Sequence, residues 1–144
     1  MKNTIFYVLS LLTLSGCVGG TGFVIKEKVI DNYYLIATDV DEDLVLSYHE
    51  DVDGDNYGTI IDATIFAVGH NDKFIIVKQH PRISPNAPDK KITNYYILPL
   101  KKGMDWRSKN GLIGPLTLKT FNEKRKELEI PEGLTFTKEI ENLK

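Results

Sequence analysis

The chain holds a single cysteine, Cys17, among 144 residues, so no internal disulfide can form and the fold must hold by packing. Nowhere does an apolar run approach the ~20 residues a helix needs to cross a hydrocarbon core. An excess of basic charge is also missing. The formal net charge is −2, with no basic patch carrying interleaved aromatics, which excludes nucleic acid as the expected partner. There is no glycine-rich phosphate loop, nucleophile elbow, zinc-protease helix or CxxC pair, and this predicts a non-catalytic protein. The three histidines, His49, His70 and His80, do not fall at metal-ligand spacing. Internal repeats and low-complexity tracts are absent.

What is present begins at the N-terminus. Lys2 precedes a run from Ile5 to Leu14 of about ten mainly apolar residues, the length of a signal-peptide core and too short to span a bilayer. Leu14-Ser15-Gly16-Cys17 follows and resembles the lipobox of bacterial lipoproteins. The resemblance implies diacylglycerol on the Cys17 thiol, cleavage after Gly16 and a membrane lipid anchor in the cell envelope. Residues 1–16 are then a signal peptide, and loss of Lys2 takes the formal charge to −3. Residues 17–22 are a lipidated, glycine-rich tether, and 23–144 are one globular domain. Val18, standing where some inner-membrane lipoproteins carry Asp, favours an outer membrane in a host that has one. Periplasmic and surface-exposed placements both remain open.

Beyond the tether the pattern is one of strands. Phe23–Ile30 and Tyr33–Thr38 flank Asp31-Asn32, which suits a tight hairpin, and Leu44–His49 follows the acidic run 39–43. Thr59–Val68 and Phe74–His80, rich in β-branched and aromatic residues, form a second hairpin around 69–72. Pro81, Pro85 and Pro88 make 81–90 a loop. Ile92–Leu98 is a strand, 101–114 is irregular, and Leu134–Thr137 is a candidate edge strand. Thr117 caps a helix on which Leu118, Phe121 and Leu128 recur at helical spacing, and Pro131 ends it. In each pair Tyr33-Tyr34 and Tyr95-Tyr96, alternation sends one ring inward and one outward. Trp106 reads as a core plug, and Lys124-Arg125-Lys126 as a solvated helix face. The expected fold class is mainly β (α+β): an antiparallel meander of about six strands with one C-terminal helix.

Three phrases, Val68 to Pro81, Asn94-Tyr95-Tyr96-Ile97, and Gly114-Pro115-Leu116-Thr117 leading into Phe121–Leu128, are similar to a family of small bacterial lipoproteins known as a domain of unknown function. The similarity covers most of the domain. It implies export, lipidation and a mostly β fold, and assigns no catalytic residue.

One loop carries candidate chemistry. Counted as a twelve-residue calcium loop, 51–62 offers Asp51, Asp53 and Asp55 at positions one, three and five, the Tyr57 carbonyl at seven and Asp62 at twelve. Asn56 stands where Gly is usual, and Gly58 where an apolar residue is. The competing reading is an acidic, solvated turn, since the flanks read as strands and not as helices. A hairpin about His70-Asn71 would set residue 80 opposite 61, bringing His80 near Asp62; the alternative is a histidine at the sheet rim. The sequence-level reading is thus an envelope-anchored binding domain for an envelope protein or polymer. The alternative is a domain bound or stabilised by Ca²⁺.

Overall fold

The computed structural model describes residues 22–50, 54–84, 87–101, 105 and 107–144. Sheet A is a continuous antiparallel meander of β1 (Ile25–Ile30), β2 (Tyr33–Ala37), β3 (Val45–His49) and β4 (Tyr57–Ile61). The hairpin read at Asp31-Asn32 forms, with Asp31 at φ 49°, a left-handed conformation that Asp tolerates. A 3₁₀ turn at Asp41–Asp43 leads from β2 into β3.

At the end of β4 the structure departs from the expected single strand over Thr59–Val68. The chain turns a corner through Asp62-Ala63-Thr64 and begins β5 (Ile65–His70) in a second sheet. Nothing in the apolar periodicity marks this break, because tertiary hydrogen bonds make it. Gln79 Nε2 donates to the Asp62 and Ala63 carbonyls at 3.1 Å each, and Thr64 Oγ1 donates to the Glu42 carbonyl at 2.5 Å. Thr64 and His80 exchange both backbone bonds, at 3.0 and 2.9 Å, and Ile65 N–H reaches the Leu44 carbonyl at 2.9 Å.

From β5 the chain returns in β6 (Phe74–Gln79), makes the small ladder β7 (Arg82–Ser84) and β8 (Ala87–Pro88), and continues through β9 (Asn94–Pro99) and β10 (Ile113–Leu116). Helix α1 (Leu118–Glu127) follows, then β11 (Lys138–Glu139) and a 3₁₀ turn at Glu141–Leu143. Sheet B has the order β10-β9-β6-β5-β11. The class is the one expected, mainly β and antiparallel with one helix near the C-terminus. It contains eleven strands among the described residues rather than about six, and they lie in two main sheets rather than one meander. The edge strand expected at Leu134–Thr137 forms one step later, at Lys138–Glu139.

Alternation on sheet B divides the core. Ile75, Val77 and Leu98 face sheet A and join Leu35, Leu44 and Leu46 between the sheets. Ile76 and Ile97 point the other way and pack with Phe121, Ile130 and Leu134 beneath α1. Tyr95 follows them to the helix side, while Tyr96 packs toward the sheet-A core, so neither ring of that pair is fully outward. The layers are sheet A, sheet B and helix. The outer face of sheet B is covered by α1.

The strand directions define two ends. The start of β1, the end of β2, the corner 62–64, the β7–β8 ladder and the turn at 141–143 share one end, from which residue 22 enters. This is the leading end. The hairpin turns at 31–32 and 71–73, and the start of β4, lie at the far end.

Candidate functional site

The outer face of sheet A is where side chains converge. Register sets Lys26 beside Ile36, Ile36 beside Val45 and Ser47 beside Thr59. Of these, Ile36, Val45, Ser47 and Thr59 form the floor of a groove of about 490 Å³. Ile36 and Ser47 are 5% and 2% exposed although among the described residues no helix or sheet overlies them. Their burial comes from the shape of the sheet. Phe23, at the leading end beside β1, and Tyr57, at the far end of β4, stand at diagonal corners of the register, yet their ring centroids are 5.7 Å apart. The right-handed twist of sheet A has carried these corners toward one another over the outer face.

Phe23 and Tyr57 make the roof, and Tyr34, His49 and Lys26 pack against Tyr57. His49 stacks on Tyr57 at 4.6 Å, and Tyr34 meets both edge-on at 6.0 and 5.5 Å. Lys26 Nζ lies 5.0 Å from the centroids of both Phe23 and Tyr57, and donates to Asp55 Oδ1 at 3.0 Å. The Tyr57 hydroxyl, and then the Asp55 carboxylate, hold the Lys26 ammonium above the usual lysine range. His49 Nε2 donates to the Gly54 carbonyl at 2.5 Å, which places its proton on Nε2. At the leading end Arg82 Nη2 closes the groove, donating to Asp43 Oδ1 at 2.5 Å and the Glu42 carbonyl at 2.7 Å. The charged groups lining the groove are thereby matched, Asp55 by Lys26 beside it and Arg82 by Asp43.

A second cavity, about 570 Å³, opens at the far end between Asp31, Tyr33, Tyr48, Asp72 and Lys101. Removal from water pushes the Tyr33 phenol up to about 12, with Tyr48 and Asp31 adding to the shift.

Of the proposed calcium ligands, Asp55, Tyr57 and Asp62 lie within the described residues. Asp51 and Asp53 lie outside the described residues, as do Cys17 and Trp106. Asp55 is engaged by Lys26. Tyr57 opens β4, an extended strand rising ~3.3 Å per residue, which carries Asp62 roughly 16 Å away to the corner between the sheets. One ion cannot be held by the Tyr57 carbonyl and Asp62 together. Asp62 acts instead on Tyr96, whose phenol is raised first by burial and then by the Asp62 charge. Among the described residues no three His, Cys, Asp or Glu side chains converge as a metal site.

His80 does not pair with Asp62. Because β4 and β5 are separate strands, His80 faces Thr64 and not residue 61. Its ring is buried, stacks on Phe66 at 4.1 Å and donates from Nδ1 to the Ile92 carbonyl at 2.7 Å. It is a core histidine, whereas His70 is exposed beside the far-end turn.

Sequence reasoning missed Phe23, Lys26, Ile36, Ser47 and Arg82 as a group. Period-two alternation does place Lys26 and Ile36 on one face. The diagonal approach of Phe23 to Tyr57 and the arrival of Arg82 from another sheet leave no local signal.

Residues 30–141 match the family model described as protein of unknown function, DUF3997. The chain belongs to this family. The match begins at the last residue of β1 and runs into the final 3₁₀ turn, so the DUF3997 unit contains β2 to β11 and both core layers, while Phe23 and Lys26 precede it. No curated protein and no solved structure matches the chain.

Proposed function

We propose that this DUF3997 protein is a lipid-anchored component of the bacterial cell envelope, and that its domain binds an envelope protein or polymer without transforming it. The anchor is supported by Leu14-Ser15-Gly16-Cys17 after a short apolar run, in a chain with no other cysteine to pair with Cys17. Among the described residues no helix is long and apolar enough to cross a membrane. The binding role is carried by the groove on sheet A. It is concave, it has an apolar floor, hydroxyls at Ser47 and Thr59 and an aromatic roof, and its charges are already paired. Such a lining suits a polar, uncharged or weakly charged ligand held by shape and hydrogen bonds.

Two measurements test the two halves. Metabolic labelling with a fatty-acid analogue, followed by membrane fractionation, should show label and membrane association in the wild type and neither in Cys17→Ala. A labelled, membrane-bound alanine variant overturns the anchor. For the groove, a photo-crosslinking residue at exposed Thr38, on its rim, should capture an envelope component in living cells that the same residue at Lys119 on α1 does not. Identical captures at both positions overturn the groove as the binding face.

A further inference from the structure

We propose that the leading end of the sandwich is the face the domain lays against the lipid bilayer; this rests on the lipid anchor at Cys17. Large apolar side chains left in water are the observation. Among the described residues five are exposed: Val24, Val40, Ile83, Ile92 and Leu118. Leu118 is on α1. The other four sit at the leading end, on three separate pieces of chain. Val24 precedes β1, and its N–H bonds the carbonyl of Ala37 at 2.8 Å. Val40 opens the 3₁₀ turn that follows β2. Ile83 lies in β7, whose neighbour Arg82 is tied to that same turn through Glu42 and Asp43. Ile92 stands beyond β8, and its carbonyl is held by His80. Ile83 is 75% exposed, the most of the five, and sits on a short ladder separate from both sheets.

The occupant follows from where the chain enters. Gly22 is at this same end, and the residues from Cys17 to Gly22 can span at most about 17 Å even when fully extended. A lipid on Cys17 therefore keeps the leading end near the bilayer surface and the far end across the domain from it. Apolar side chains clustered beside a short lipid tether lower their free energy by entering the interfacial region, and a second weak contact of this kind adds to the first. Attraction to anionic headgroups is not the cause. Asp39, Glu42 and Asp89 stand among these residues with Lys90 and Lys91, which leaves no basic surplus. Lipid chemistry is thus apolar and interfacial, and the contact forms on zwitterionic membranes.

Once lipidated, Cys17 has no free thiol, so one added cysteine can be labelled uniquely in the full chain. An environment-sensitive fluorophore is placed at position 83 (Ile83→Cys) or, as the far-end reference, at position 72 (Asp72→Cys). Each lipidated protein is reconstituted into phosphatidylcholine vesicles with brominated acyl chains. The fluorophore at 83 should shift to the blue and be quenched several-fold more than the one at 72. Val40→Asp introduced with the probe at 83 should weaken that quenching. Equal quenching at the two positions, with the fatty-acid label still on Cys17, overturns the orientation and leaves the anchor standing. Absence of the label and of membrane association removes the anchor and this inference with it. A blue shift at 83 in lipid-free detergent that grows with protein concentration would assign the end to a second copy of the chain, and also overturns the proposal.

Discussion

Gly69 lies in β5 where the chain approaching β11 passes over it, and no side chain fits between. A Cβ built there would stand 1.9 Å from the Thr135 carbonyl oxygen and 2.8 Å from its carbon. Both are backbone atoms and cannot rotate away. Gly69→Ala should therefore force the 135–136 segment off sheet B and cost about 2–3 kcal/mol, as overpacked sites do. Urea unfolding would show this as a lower midpoint at an unchanged slope. The sequence presents Gly69 as part of a Gly-His-Asn-Asp turn, and that reading starts the turn two residues early. The turn is made by Asn71, whose Oδ1 accepts from the N–H groups of Lys73 and Phe74 at 2.9 and 2.8 Å, leaving Gly69 inside the strand. A glycine demanded by a distant backbone looks the same in sequence as one demanded by a turn. Tyr33 supplies a pH-dependent counterpart. Its phenol titrates near 10 when unfolded and near 12 when folded, so the folded state keeps the proton longer. The stabilising effect of the neutral, buried phenol is complete below pH 10 and is lost as pH rises through 12, up to roughly 2–3 kcal/mol. Tyrosinate absorbance should show Tyr33 and Tyr96 titrating after the rest, and Tyr33→Phe should reduce that late step.

At the scale of elements, α1 was the most legible part of the chain. Thr117 caps it, with Oγ1 accepting from the Thr120 N–H at 3.3 Å, and its buried contact is Phe121, as the spacing indicates. Its end uses an irregular residue. Ile130 N–H reaches back to the Arg125 carbonyl at 2.9 Å and Glu129 N–H to the Lys126 carbonyl at 3.1 Å, the paired bonds of a Schellman motif. The left-handed position, φ 54°, is held by Glu129 where glycine is usual. Glu129→Gly should stabilise the domain by about 0.5–1 kcal/mol, the relief of a left-handed side chain less the added freedom of the unfolded chain. Thermal unfolding would register it as a rise of a few degrees. Pro131 made the stop visible in the sequence, but the conformation that executes it is set by Ile130 dropping into the core beside Phe121. The strands were legible in number only where turns separate them. The run from Thr59 to Val68 is apolar and β-branched throughout, and neither composition nor period distinguishes one long strand from two joined by a corner.

For the whole molecule, the sequence identifies a mainly β, antiparallel domain with its helix near the C-terminus, because alternation and capping are local. Which sheet stacks on which is decided by side chains far apart in sequence, and the groove on sheet A shares that origin. The acidic loop illustrates the difference. Asp55 and Asp62 are seven positions apart and suit one cage on paper, but the strand between them sends them to opposite ends of sheet A. Unfolding of the full chain is accordingly expected at the same midpoint with calcium near its extracellular range, about 1 mM, and with chelator. A rise of several degrees with calcium would show that a site forms despite this separation.

The burial of Leu143 sets an order of events during synthesis. Its side chain is fully enclosed between the sheets, and the 3₁₀ turn that carries it is held by the Ile140 N–H on the Phe66 carbonyl and by Lys90 on the Asn142 carbonyl. Sheet A, formed by consecutive hairpins between residues 25 and 61, can pair as soon as it emerges from the ribosome. Its inner face then waits for β5, β6 and β9, and the seal between the layers is completed only when residues 140–143 arrive. A chain that has not yet delivered Leu143 cannot close its core.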